Sequence, residues 1–127
     1  MSNPSERPPD DPTDPAFLME RVAGRRIIVG VTGGIAAYKT ATVVSRLAQA
    51  KAEVTVLMTD SATRFVTPLT FQALSGRAVY SNTWDHIESR DPQHVSLATQ
   101  ADLAVVAPAS MDFLAKLATG RTDDAVS

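Results

Sequence analysis

Short, continuous apolar runs alternate along the chain with segments that place an apolar residue every three or four positions. The runs are typical of strands buried on both faces of a sheet, and they cover residues 27–31, 54–58 and 103–107. Residues 78–80 predict a further short strand, and helical spacing predicts helices over 37–48 and 111–118. Because strands that alternate with helices pair in parallel through right-handed crossovers, the pattern predicts an α/β fold with an open parallel sheet and helices on both faces.

Capping residues mark the ends of the predicted helices. Thr67 followed by Pro68 predicts a helix start, with threonine as the N-cap, and Gly76 predicts the end of that helix. Gly120 ends the last helix in the same way. Ligands on open parallel sheets bind beyond the carboxyl ends of the strands. The candidate ligand-binding loops are therefore residues 32–36, 59–64 and 108–112.

The first residues differ in composition from the rest of the chain. Met1 to Pro15 contain five of the eight prolines, and four acidic residues with one arginine. Such a segment buries too little apolar surface to offset the entropy lost on ordering it. We therefore expect a disordered Pro/Asp-rich leader over residues 1–20, with a short helical lead-in around residues 17–19. The folded domain is expected over residues 21–127.

Composition and charge exclude several classes of protein. The 127 residues suffice for one domain with its own core. The chain has no cysteine, which excludes a disulfide framework and a cysteine zinc site, and its two histidines predict no metal site. The net charge of −2 gives no sign of a nucleic-acid-binding surface. The sequence shows neither a membrane-spanning run nor a signal peptide, so we expect a cytoplasmic protein.

The first loop is rich in glycine and opens a helix, an arrangement that favours anion binding by backbone N–H groups. Its glycines at positions 30, 33 and 34 do not fit the dinucleotide fingerprint. Tyr38 stands where a P-loop has its last glycine. The loop therefore predicts neither a dinucleotide held in the usual way nor a nucleoside triphosphate. A tight strand-to-helix turn without a ligand is the alternative.

The other two loops carry hydroxyl groups and small side chains. Thr59 and Ser61 could hydrogen-bond a phosphate or a ribityl chain, and the alternative is that they cap a helix. Small residues after the strand at 103–107 would let a flat ligand approach the backbone, unless Ser110 or Asp112 only caps the next helix. His94 is the candidate acid–base catalyst because histidine titrates near neutral pH.

Four motifs in this order resemble the homo-oligomeric flavin-containing cysteine decarboxylase family. They lie at residues 30–39, 58–76, 94–97 and 107–120. The block from Thr67 to Gly76 is most similar to the branch that decarboxylates phosphopantothenoylcysteine in coenzyme A biosynthesis. The resemblance implies a three-layer, Rossmann- or flavodoxin-like fold that binds FMN and a small-molecule substrate, with no nucleic-acid or membrane partner. It also implies a homo-oligomer, a trimer or trimer-based assembly, with the flavin near a subunit interface.

The same resemblance implies roles for individual residues. The residues implied to bind the flavin are Gly33, Gly34, Ile35, Thr59, Ser61, Ala109, Ser110 and Met111. His94 matches the active-site histidine of the family. Asp112 stands at a substrate-binding position where the decarboxylases usually have asparagine. An ionised aspartate donates no hydrogen bond, and because it is negatively charged we expect Asp112 to repel the substrate carboxylate.

The implied reaction begins with oxidation of the cysteine side chain to a thioaldehyde, which provides an electron sink for the loss of carbon dioxide. The family continues beyond Ser127 with a Pro-x-Met-Asn motif and a substrate-covering flap. We therefore expect the 127-residue chain to lack the C-terminal portion of the family and to be slow or inactive as a decarboxylase. The alternatives are a non-catalytic or diverged FMN-binding flavoprotein, a flavin prenyltransferase-like enzyme and a plain nucleotide-binding module.

Overall fold

The computed structural model describes residues 11, 14–81, 99–120 and 126. The elements follow one another in the order α1 (Pro15–Val22), β1 (Arg26–Val31), α2 (Ala37–Gln49), β2 (Glu53–Met58), a 3₁₀ helix (Ser61–Arg64), α3 (Pro68–Ser75), β3 (Leu103–Val106) and α4 (Met111–Thr119). The predicted alternation of strands and helices is therefore confirmed. His94 lies outside the described residues.

Strand β1 lies between β2 and β3, and both pairings are parallel. The register places Val29 opposite Val56 on one side and opposite Val105 on the other. Because the strands run in one direction, their carboxyl ends lie at one edge of the sheet. The strand predicted at residues 78–80 is reduced to a single parallel bridge, between Leu57 and Tyr80.

The main core lies between one face of the sheet and helices α2 and α3. Alternate residues of β1 and β2 point to this face, where Ala37 and larger residues of the two helices pack against them. The larger buried residues are Ile27, Val29, Val31, Val54, Val56, Met58, Val44 and Phe71. Burying one side chain of this size contributes about 1.5–3 kcal/mol, so this face supplies much of the stability of the fold.

Local capping explains where α3 and α4 begin and end. The hydroxyl of Thr67 accepts a hydrogen bond from the backbone N–H of Thr70, and that of Ser110 accepts one from Phe113. Gly76 and Gly120 end the two helices in the left-handed conformation, with φ of 70° and 72°. The predicted caps at Thr67, Ser110 and both glycines are confirmed.

Helix α1 contains the lead-in predicted around residues 17–19. The side chain of Asp14 caps its first turn, and Pro15 is its first residue. The helix crosses the boundary that the sequence predicts between residues 20 and 21, so regular structure begins within the predicted leader. In the part of the chain that the structure describes, no helix is long and apolar enough to cross a membrane.

Candidate functional site at the carboxyl edge of the sheet

Three loops meet at the carboxyl edge, as the topology predicts. A methyl group on Gly33 would lie 2.5 Å from the Cβ of Ser61, and one on Gly34 would lie 3.2 Å from the Cγ of Pro108. The two glycines therefore allow the first loop to touch both the second and the third. Contacts of the first loop thus join all three loops at this edge of the sheet.

Two threonines fasten the third loop to the first strand and its helix. The buried hydroxyl of Thr32, directly after β1, donates to the carbonyl of Pro108 and accepts from the N–H of Ser110 at 2.8 Å. The hydroxyl of Thr40, on α2, donates to the carbonyl of Ala107 at 2.8 Å. The hydrophobic pattern did not predict that these two threonines hold the third loop. A threonine directly after a buried strand is the one signal that could have pointed to Thr32.

The start of α2 presents unpaired backbone donors at this edge. Among the described residues, the N–H groups of Gly34, Ile35 and Ala36 donate to no other group of the chain, and Ala36 supplies no side-chain cap. Unpaired donors at a helix N-terminus, together with the helix dipole, attract an anion. The geometry thus suits the phosphate group that the sequence predicts at this turn.

The second loop uses its first hydroxyl as a cap. The buried hydroxyl of Thr59 accepts a hydrogen bond from the N–H of Ala62 at 3.2 Å. Ser61 is exposed and begins the 3₁₀ helix. The capping interpretation is therefore confirmed for Thr59. Contact of either hydroxyl with a ligand stays a prediction.

Two large apolar side chains are exposed in the first and third loops. Ile35 is 80% exposed in the first loop, and Met111 is 82% exposed at the start of α4. Ala109, in the third loop, is exposed as well, and the hydroxyl of Ser110 is occupied as the cap of α4. Donors for an anion therefore lie beside apolar groups that a flat ring could cover.

Asp112 has a cationic partner one helical turn away. Its Oδ2 lies 3.1 Å from the Nζ of Lys116, and the two side chains are 75% and 16% exposed. The repulsion expected from the sequence assumed an Asp112 carboxylate without a partner. The ammonium group compensates part of the negative charge at this position, which lowers the repulsion expected for an anionic substrate.

Within the described ranges, no three histidine, cysteine, aspartate or glutamate side chains come close enough together to hold an ion. What the carboxyl edge offers is hydrogen-bond donors and apolar surface.

The comparisons with known proteins agree with this arrangement. The sequence pattern of the Flavoprotein family matches residues 18–127. The coenzyme A biosynthesis bifunctional protein CoaBC of Haemophilus influenzae is 47% identical over 107 residues, which are 84% of this chain and 27% of that protein. CoaBC of Mycolicibacterium smegmatis is 50% identical over 102 residues, 80% of this chain and 24% of that protein.

Solved structures show the same fold. The FMN-dependent cysteine decarboxylase SpaF superimposes with a TM-score of 0.70 at 31% sequence identity, over 81% of this chain and 59% of that one. This likeness confirms the predicted Rossmann- or flavodoxin-like architecture. The chain spans about a quarter of the length of the curated relatives that it matches. The family pattern covers most of the sequence, and the chain belongs to the flavoprotein family.

Proposed function

We propose that the chain binds FMN at the carboxyl edge of its sheet and forms the flavin-binding part of a phosphopantothenoylcysteine decarboxylase. One observation carries the proposal: the first loop, with its unpaired N–H donors and the exposed Ile35, approaches the third loop at Pro108, three residues before the exposed Met111. The names of the relatives support it, since CoaBC acts in coenzyme A biosynthesis and SpaF is an FMN-dependent cysteine decarboxylase.

The residues present suit the parts of FMN. The turn Gly33-Gly34-Ile35 would hold the phosphate by its backbone N–H groups. The hydroxyls of Thr59 and Ser61 would contact phosphate or ribityl oxygens. Ala109, Ser110 and Met111 would line the isoalloxazine ring, because small or flexible side chains leave room for a flat group beside the backbone. The close approach of Gly33 to Ser61 places the first two parts of this surface together.

FMN, when bound, supplies a hydride acceptor and donor for the carbon next to the substrate sulfur. In this proposal the protein holds the substrate against the flavin ring, and its acidic and basic side chains interact with the charged groups of the substrate. His94 would act as acid or base at the thiol or the carboxylate. Asp112, with its charge partly compensated by Lys116, would lie at the substrate carboxylate. A trimeric assembly and a cytoplasmic location are further parts of the proposal and rest on the family resemblance.

Flavin binding is the first test. FMN is titrated into the purified chain and into Gly34→Val, whose side chain meets Pro108 and covers the donors of the turn. We expect Gly34→Val to lose at least about tenfold in affinity, or about 1.4 kcal/mol. Ala16→Val, which adds apolar bulk at an exposed position of α1, is the control and should bind FMN normally. Equal FMN affinity of the two variants would show that the phosphate does not bind at this turn.

Turnover is the second test. Carbon dioxide released from 4'-phosphopantothenoylcysteine is measured for the FMN-loaded chain extended by the downstream segment of the family, and for His94→Asn in the same extended protein. His94→Asn should keep its flavin and lose turnover, since the variant removes an acid–base group outside the predicted flavin contacts. FMN binding without carbon dioxide release from the extended protein would favour the alternative of a non-catalytic FMN-binding flavoprotein.

A further inference from the structure

Two adjoining cavities lie away from the carboxyl edge, beside Thr55 in the middle of β2. The first has a volume of about 130 Å³, and its polar lining is Arg26, Glu53, Thr55, Arg77 and Gln100. The second, of about 310 Å³, is lined by Thr55, Arg77, Ala78 and Tyr80. Thr55 and Arg77 belong to both cavities. Since Val54 and Val56 point towards α2 and α3, strand alternation places Thr55 on the opposite face of the sheet.

Thr55 differs from the other buried threonines. Thr32, Thr40 and Thr59 each use their hydroxyl in a hydrogen bond. Thr55 is only 6% exposed, and its hydroxyl makes no hydrogen bond in the part of the chain that the structure describes. Buried polar groups in native proteins almost always have a partner. The Thr55 hydroxyl lines two cavities and has no such partner among the described residues, so it is a donor available to a ligand.

The charges around Thr55 favour an anion. The Nε of Arg26 lies 3.3 Å from Oε2 of Glu53, and its Nη1 donates to the side-chain oxygen of Gln100 at 3.1 Å. Arg77 approaches the same Glu53 oxygen only to 3.9 Å. Among the described residues, the Arg77 guanidinium donates no hydrogen bond. Among the residues that line the first cavity, two arginines against one glutamate leave one positive charge in excess, and the least-used donors are those of Arg77. Asp102, which accepts a hydrogen bond from the backbone N–H of Arg26 at 2.8 Å, does not line the cavity.

We propose that this cavity binds a small oxyanion group, a phosphate or a carboxylate, with Thr55 and Arg77 as its direct donors. The planar guanidinium presents paired N–H groups that match the oxygens of either anion, and the threonine hydroxyl adds a third donor. The smaller cavity holds the anionic group, and the larger one beside Tyr80 receives the remainder of the ligand. This site is separate from the flavin-binding loops and stands independently of the proposed function.

The experiment titrates inorganic phosphate, and in a second arm acetate, into the purified protein while residue-resolved amide shifts are recorded by NMR. Saturable shifts are expected at Thr55, Arg77 and Tyr80. Tighter binding of phosphate than of acetate identifies a phosphate site, and the reverse order identifies a carboxylate site. Shifts confined to Gly34, Ile35 and Ala36 would place the anion at the start of α2, and these shifts or the absence of saturation would overturn the proposal.

Variants test the two donors. Arg77→Gln should lose at least about tenfold in anion affinity, and Thr55→Val, which keeps the shape of the buried side chain, should lose severalfold. Arg46→Gln removes the same charge from α2, on the other face of the sheet, and should bind the anion as the parent does. Parent-like affinity in Thr55→Val or in Arg77→Gln would contradict the assignment of that donor.

Discussion

Most of the buried apolar residues that the structure describes lie in the half of the molecule built on β1, β2, α2 and α3, although Val43 and Leu69 of its helices are exposed. The half built on β3 and α4 leaves nearly all of its apolar residues exposed or half-buried. The two halves look alike in sequence, because β2 and β3 both consist largely of apolar residues. In the structure, Val29 and Val56 are fully buried, but Leu103 is 54% exposed and Leu117 is 62% exposed. In the second half, Phe113 is the only buried residue among those that the structure describes.

The difference shows that an apolar pattern predicts an element more reliably than it predicts burial. A residue becomes buried when a second element lies over it, and the described part of the chain places α2 and α3 over β1 and β2. The candidate flavin site spans both halves. Its third loop belongs to the exposed half and is fastened to the buried half by the hydroxyls of Thr32 and Thr40.

The largest expected effect comes from breaking the buried half. Phe71→Ala should lower the free energy of unfolding by about 3–5 kcal/mol, because the ring is fully buried between α3 and the sheet and its loss leaves a cavity. Leu117→Ala, in the exposed half, should change it by less than about 0.5 kcal/mol. Urea unfolding followed by circular dichroism measures both. Similar losses for the two variants would show that the halves are equally packed in solution.

A smaller effect is expected where the halves join. Thr32→Val keeps the shape of the side chain but leaves the carbonyl of Pro108 and the N–H of Ser110 without their partner. This change should cost about 1–3 kcal/mol. Thr42→Val, at an exposed position of α2, is the matched control and should cost much less.

Hydrogen exchange distinguishes a local effect of Thr32→Val from a general one. The amides at the start of α4 should exchange faster in the variant, while those of β2 should change only with global stability. Uniform acceleration across both halves would mean that Thr32 contributes to the core and does not specifically hold the third loop.

Local signals in the sequence predicted much of the fold. Thr67, Gly76 and Ser110 act through neighbours within four residues, so their types alone locate the helix ends. The strand at residues 78–80 was predicted too long, because strand length depends on a neighbouring strand that the pattern does not reveal. Thr32 and Thr40 were missed because their partners lie 76 and 67 residues further along the chain.

The candidate site was predicted at the level of loops and less well at the level of charges. Topology brings residues 32–36, 59–64 and 108–112 to one edge whatever their side chains do. The pairing of Asp112 with Lys116 could have been predicted from the spacing of four residues on a helix. The unpartnered hydroxyl of Thr55 could not, because it depends on what packs above the middle of a strand.

The smallest expected effect concerns the ion pair on α4. Asp112 is the second residue of the helix, where a negative charge is favoured by the dipole, and its carboxylate contacts Lys116. Because Asp112 is largely exposed, solvent screens the pair and we expect Asp112→Asn to cost only about 0.3–0.5 kcal/mol. Asp60→Asn removes the same charge from an exposed N-cap residue whose side chain makes no capping hydrogen bond to the 3₁₀ helix, and it serves as the control.

A double-mutant cycle of Asp112→Asn with Lys116→Gln isolates the contribution of the pair itself from that of the helix dipole. The coupling energy should be about 0.3–0.5 kcal/mol at low salt and should decrease as salt is added, because the Asp112 end of the pair is open to solvent. A coupling above about 1 kcal/mol would show that the mostly buried ammonium of Lys116 dominates, so that the exposed half is better ordered than its apolar residues indicate. No coupling at any salt concentration would leave Asp112 with its full negative charge towards a ligand, and the repulsion expected from the sequence would then stand undiminished.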